Sequence, residues 1–92
     1  MNLEQLRAEI DRSNKEIVFA IAKRFQLTRK VGELKRQNNL QSKDKSRELK
    51  VIENVRLLAK ESGIDEDMIE NIFSIVMKQV VKEHEEVKKN NG

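Results

Sequence analysis

The opening third of the chain constrains what the remainder can fold into. Read in sevens from Leu3 to Lys35, it holds two interleaved rows: Leu3, Ile10, Ile17, Arg24 and Val31, and Arg7, Asn14, Ile21, Thr28 and Lys35. Together they have the 3-4 spacing of an a/d seam, the stripe that a long helix turns toward its partners. Most of the seam is aliphatic, as burial demands, yet Arg7, Arg24 and Lys35 stand in it with no acid among them. An unpaired buried cation is costly. Two readings follow. Either the seam cations face an anion that is not protein, or their long side chains snorkel to solvent or pair with acids on other helices.

Helix geometry narrows the first reading. Arg24 and Lys35 are three turns apart, roughly 16 Å along the axis, and point nearly the same way. Leaning toward each other, they leave room for a molecule of metabolite size. Arg7 precedes Arg24 by about 25 Å of helix. It reaches the same small ligand only if it comes from another chain.

Composition sets the class. With 92 residues, the chain reads as one domain, 1–92. Hydrophobic residues are 37% and charged residues 38%, few apolar side chains for a private core but enough for amphipathic helices that share one. Pro is absent and Gly occurs three times, so long helices meet little interruption. Absence of Cys excludes a thiol site, a disulfide framework and a Cys-based zinc site. A single His argues against a His-rich metal site, and no metal is expected. The polar start from Asn2 lacks an apolar signal core, and no run of 18 apolar residues exists, so a soluble, cytoplasmic protein without membrane contact is expected. The net charge of +3, from 19 Lys and Arg against 16 Asp and Glu with both signs interspersed, is weaker than a nucleic-acid footprint.

Taken in order, helix one is predicted from about Leu3 to about Gln37. Gly32 lies inside it at a cost of about 1 kcal/mol relative to Ala, unless close packing requires it. Leu6, Phe19, Phe25, Leu27 and Leu34 widen its apolar face. At roughly 50 Å it overhangs a compact domain of this size, whose radius of gyration is about 12 Å, and homodimerisation is the economical answer. The stretch from Asn38 to Lys43 reads as a loop, with Ser42 or Asp44 available to cap the next helix. Helix two is predicted from Lys45 to Glu61, with Leu49, Ile52, Val55 and Leu58 on one face. Gly63 supplies a left-handed stop. Asp65 caps helix three, with Glu66 and Asp67 in its first turn and Ile64 and Ile69 spaced as a hydrophobic staple. Helix three carries Ile69, Ile72, Phe73, Val76, Val80 and Val87 and is expected to fray over residues 88–92.

Chemical candidates are sparse. No nucleophile stands in a recognisable motif, and there is no Gly-rich phosphate loop. Asp44, Arg47 and Glu48 cluster at the start of helix two, where capping and i,i+4 pairing also account for them. His84 follows Val80 by four residues on the mostly apolar face of helix three, a setting that suits a structural histidine as well as a catalytic one.

Four stretches nevertheless resemble one family in order and spacing. Leu6-Arg7-Ala8-Glu9-Ile10-Asp11, then Ala22-Lys23-Arg24 with Val31-Gly32-Glu33-Leu34-Lys35, then Asp44-Lys45-Ser46-Arg47-Glu48, then Ile72-Phe73 are similar to the motifs of the all-helical (AroQ class) chorismate mutases. The resemblance covers nearly the whole chain. It implies an all-α protomer of three helices with a long first helix, intertwined in a homodimer with two sites, and rearrangement of chorismate to prephenate, on the route to phenylalanine and tyrosine, without a cofactor. Arg24, and Arg7 from the opposite chain, would bind the two carboxylates. Lys35 would reach the ether oxygen, Glu48 with the Asp44 backbone would hold the ring hydroxyl, and Arg47 would support them. Val31, Val51, Met77 and Val81 would form the apolar wall. Helix three departs from the family pattern twice. Val80 stands where Ser or Asn is usual. His84 stands where Gln or Glu is usual, as second donor to the ether oxygen.

Other readings compete. An isochorismate-pyruvate lyase would share the fold and suit the same cations, and analysis of products separates the two. A non-enzymatic helical interaction module would pair the seam cations with a partner's acids and bind neither compound. A small nucleic-acid binder would show a steep salt dependence on duplex DNA.

Overall fold

The computed structural model describes residues 1–91, with side chains over residues 1–89. Helix α1 spans Leu3–Gln37, as predicted. Its first turn is closed by a capping box: the Asn2 side chain accepts from the Gln5 backbone N–H at 2.8 Å, and the Gln5 side chain accepts from the Asn2 N–H at 2.9 Å. At its other end Asn39 takes the left-handed conformation (φ +56°), and the Leu40 N–H closes on the Lys35 carbonyl at 2.8 Å.

Helix α2 spans Lys45–Ser62, one residue longer than predicted. Of the two candidate caps, Asp44 serves, accepting from the Arg47 N–H at 3.1 Å. Gly63 stops the helix at φ +72°, and the Ile64 N–H returns to the Ala59 carbonyl at 3.0 Å. Helix α3 spans Glu66–Asn91, with the Asp65 side chain accepting from the Met68 N–H at 2.8 Å. The expected fray is not seen through Asn91, and Gly92 lies outside the described residues.

α3 packs on both other helices. Against α2 the fit differs from the sequence expectation. The buried stripe is Val51, Val55 and Ala59, whereas Leu49 and Leu58 are exposed and Ile52 is half-buried. α2 carries apolar residues on more than one stripe, and α3 rests on the one with the smaller side chains, which permits closer approach. On α3, Ile69, Phe73, Val76, Met77, Val80 and Val81 are half-buried, while Ile72 and Val87 are exposed. Arg56 of α2 ties the start of α3 through Asp67 at 2.9 Å and Glu70 at 3.0 Å.

Only the C-terminal part of α1 lies against α3. Every residue from Met1 to Lys23 is exposed, Leu3, Leu6, Ile10, Ile17 and Ile21 included. The radius of gyration is 16.5 Å and the extents are 55 × 25 × 15 Å. The accessible surface is 7691 Å², against about 5,500 Å² for a compact chain of 10.8 kDa. Among the described residues no helix is long and apolar enough to cross a membrane.

The cap of α3 yields a stability prediction. Asp65→Ala leaves the Met68 N–H without its side-chain acceptor and is expected to cost about 1 kcal/mol. Thermal melts followed by circular dichroism should show a fall of about 4–8 °C for a domain of this size.

Candidate active site

Where α1, the α1–α2 loop, α2 and α3 converge, they enclose a cavity of about 300 Å³. From α1 come Arg24, Leu27, Thr28, Val31 and Lys35. The loop and the first turns of α2 supply Ser42, Asp44, Arg47, Glu48 and Val51, and α3 adds Met77, Val80, Val81 and His84. Every site residue expected from the sequence lines this cavity except Arg7, which is exposed on the overhanging part of α1. Leu27, Thr28 and Ser42 were not anticipated. Thr28 and Ser42 bond neighbouring side chains through their backbone carbonyls, which no residue pattern reveals.

The cavity carries more positive than negative charge. The Arg24 guanidinium is held below the usual arginine range, first by burial and then by repulsion from Arg47. Its Nη1 is buried with no hydrogen-bond partner among the described residues, and its charge sits 5.8 Å from the centroid of the Phe73 ring. Lys35 donates from Nζ to the Ser42 carbonyl at 3.1 Å, and Ser42 is itself buried. The two acids of the cavity are already engaged: Asp44 caps α2, and Glu48 lies 4.0 Å from Lys43. A cavity with a half-buried guanidinium whose Nη1 is unpartnered among the described residues, a second arginine beside it and apolar walls suits a small anionic ligand.

His84 is fastened to α1. Its Nε2 lies 2.8 Å from the Thr28 carbonyl, so Nε2 carries the hydrogen and donates. Nδ1 is buried without a partner among the described residues. In the neutral ring Nδ1 is an acceptor, and only the imidazolium carries a second N–H there.

Residues 6–85 match the family model for chorismate mutase type II. The chain is 35% identical over 77 residues to the T-protein of Haemophilus influenzae, an alignment covering 84% of this chain and 20% of that protein. It is 33% identical over 75 residues to the chorismate mutase of Methanocaldococcus jannaschii, covering 82% of this chain and 76% of that one. The chain thus spans about a fifth of the first relative and three quarters of the second.

The electrostatics of Arg24 yield a prediction for the empty protein. A lowered arginine pKa means that folding disfavours the charged form, so the fold is less stable for carrying Arg24 at every pH where arginine is charged. Met keeps the packing and a sulfur contact with Phe73. Arg24→Met should raise ligand-free stability, seen as a higher midpoint of urea unfolding at fixed protein concentration. A loss of stability would mean that Arg24 is satisfied as it stands.

Proposed function

This chain belongs to the chorismate mutase type II family, and from that premise we propose that it is itself a chorismate mutase, forming prephenate for phenylalanine and tyrosine synthesis in the cytoplasm. The observation that carries the reading is the half-buried Arg24 guanidinium, whose buried Nη1 has no hydrogen-bond partner among the described residues, in a cation-rich cavity. The reaction is an intramolecular Claisen rearrangement, in which an ether C–O bond breaks as a C–C bond forms. It calls for no nucleophile and no cofactor. Restraint of the reactive conformer and stabilisation of charge at the ether oxygen suffice.

Arg24 grips one substrate carboxylate through a charge-assisted pair. Lys35 has three N–H donors, so it reaches the ether oxygen without giving up the Ser42 carbonyl. Glu48 and the Asp44 backbone hold the ring hydroxyl, Arg47 supports them, and Val31, Val51, Met77, Val80 and Val81 exclude water. His84 faces the ether oxygen with Nδ1, which donates only when that nitrogen carries a hydrogen. The remaining carboxylate is met by the partner's Arg7 in an intertwined homodimer. Two observations support the dimer. Residues 1–23 are uncovered, and each protomer carries roughly 2,000 Å² of surface beyond a compact chain. Burying that excess on both chains falls within the range of obligate homodimers, about 2,000–5,000 Å² in total.

The primary test is loss of chorismate ultraviolet absorbance with chromatographic identification of the product. Prephenate is expected. Salicylate and pyruvate from isochorismate would make the protein a lyase instead, and turnover of neither compound would favour an interaction module. Lys35→Ala should lower kcat by about 10²–10³ with helicity retained, since one donor to the developing oxyanion is lost.

Subunit mixing tests the shared site. Arg7→Ala and Arg24→Ala homodimers should each be nearly inactive. Unfolded together and refolded, half of the dimers are mixed, and each has one intact site and one lacking both arginines. Activity should return to about a quarter of wild type. No recovery, with mixed dimers seen by native mass spectrometry, would refute the sharing of Arg7 between chains.

A further inference from the structure

Gly32 sits inside α1, five residues before its end, where it weakens the helix. Its surroundings explain its presence. A Cβ built there would lie 2.5 Å from Cδ2 and 2.6 Å from Nε2 of His84, well inside contact distance. Gly32 is also four residues after Thr28, so in the helix its side chain would flank the Thr28 carbonyl. That carbonyl is the one His84 Nε2 approaches to 2.8 Å. The missing side chain therefore exposes a helix carbonyl to a ring from α3. Nδ1, the other ring nitrogen, is buried without a partner among the described residues, and His84 borders the cavity.

We infer that Gly32 and the Thr28 carbonyl form a seat for His84, fixing its hydrogen on Nε2 and leaving Nδ1 as the nitrogen that meets the substrate. Gly32 is then a positioning residue for the reaction. The kinetic part of this inference rests on the chorismate mutase reading, whereas the seat itself does not. A glycine with open space beside it would be improved by alanine, which is the better helix former. A seat would be destroyed by it, because the ring must swing away from the new Cβ. The ring is a side-chain end rather than backbone, so the variant folds.

The protein has one histidine, so its imidazole signals in a nitrogen-15 spectrum of the full chain are unambiguous. In alkaline buffer the wild type should show an Nε2–H tautomer whose Hε2 proton exchanges slowly with water. Gly32→Ala should lose that protection and move both ring nitrogens. With chorismate, Gly32→Ala should lower kcat by about 10²-fold, the scale of a misplaced catalytic group, and change KM little. His84→Ala should lower kcat to a similar degree. Gly32→Ala added to His84→Ala should cost no further kcat and should raise Tm, since the steric conflict has gone. Retained Hε2 protection in Gly32→Ala, wild-type kcat in His84→Ala, or losses that multiply in the double variant would each overturn the inference. A wild type inert toward chorismate would refute the chorismate mutase reading alone, and the nitrogen-15 spectra would still decide the seat.

Discussion

A helix of 35 residues is too long for a 92-residue chain to cover. That mismatch of length governs the rest of the structure. α3 is 26 residues and α2 is 18, and their shared packing reaches α1 only from Arg24 onward. The chain accordingly has two regions. In one, three helices and a loop meet and a cavity forms. In the other, α1 projects alone with Leu3, Leu6, Ile10 and Ile17 uncovered. An amphipathic helix gains most of its stability from packing its apolar face, so the projecting part is the least self-sufficient piece of the protomer.

The same division shapes the electrostatics. Where the helices meet, burial first and the neighbouring Arg47 second disfavour the charge on Arg24. Asp44 and Glu48 are close but committed, one to the N-terminus of α2 and the other toward Lys43. The cavity is thus built with charge left over. In the free protein that surplus is a cost to folding. For an anionic ligand it is preorganised attraction, since no group has to turn or shed a partner before binding. Stability and affinity pull in opposite directions on the same guanidinium, a familiar trade at functional sites.

Much of this was legible in the residues. The long first helix, the Asn-rich break, Asp44 as one of two candidate caps, Asp65 as a cap and Gly63 as a stop all act through local chemistry, which a sequence displays. The α2 face did not follow, because several apolar stripes compete there and only the approach of α3 selects Val51, Val55 and Ala59. Within the site, most of the lining side chains followed from the family resemblance, and Leu27, Thr28 and Ser42 did not. Their present partners were not, because Lys35 and His84 both bond main-chain carbonyls, and carbonyls are the same at every position. The glycine in α1 could be flagged as costly, but the reason for it lies 52 residues further along, in a ring that only folding brings near.

Those two carbonyl bonds look alike and differ in consequence. Lys35 rests on Ser42 at 3.1 Å and His84 on Thr28 at 2.8 Å, so both polar heads are held before any ligand arrives. An ammonium carries three hydrogens, and one bond to the loop leaves two for a substrate. A neutral imidazole carries one, and the bond to α1 consumes it. Lys35 can therefore serve loop and ligand together, whereas neutral His84 meets a ligand only with a lone pair. A glutamine amide has two N–H groups and is free of this restriction. If the ether oxygen of the substrate sits between Lys35 and His84, as proposed, His in place of Gln turns a permanent donor into a conditional one, whereas Glu in that place is conditional as well, since only a protonated carboxyl donates. The mechanism then depends on whether the ring is protonated when the ether breaks, which puts the fine control of the site on α3 rather than on α1.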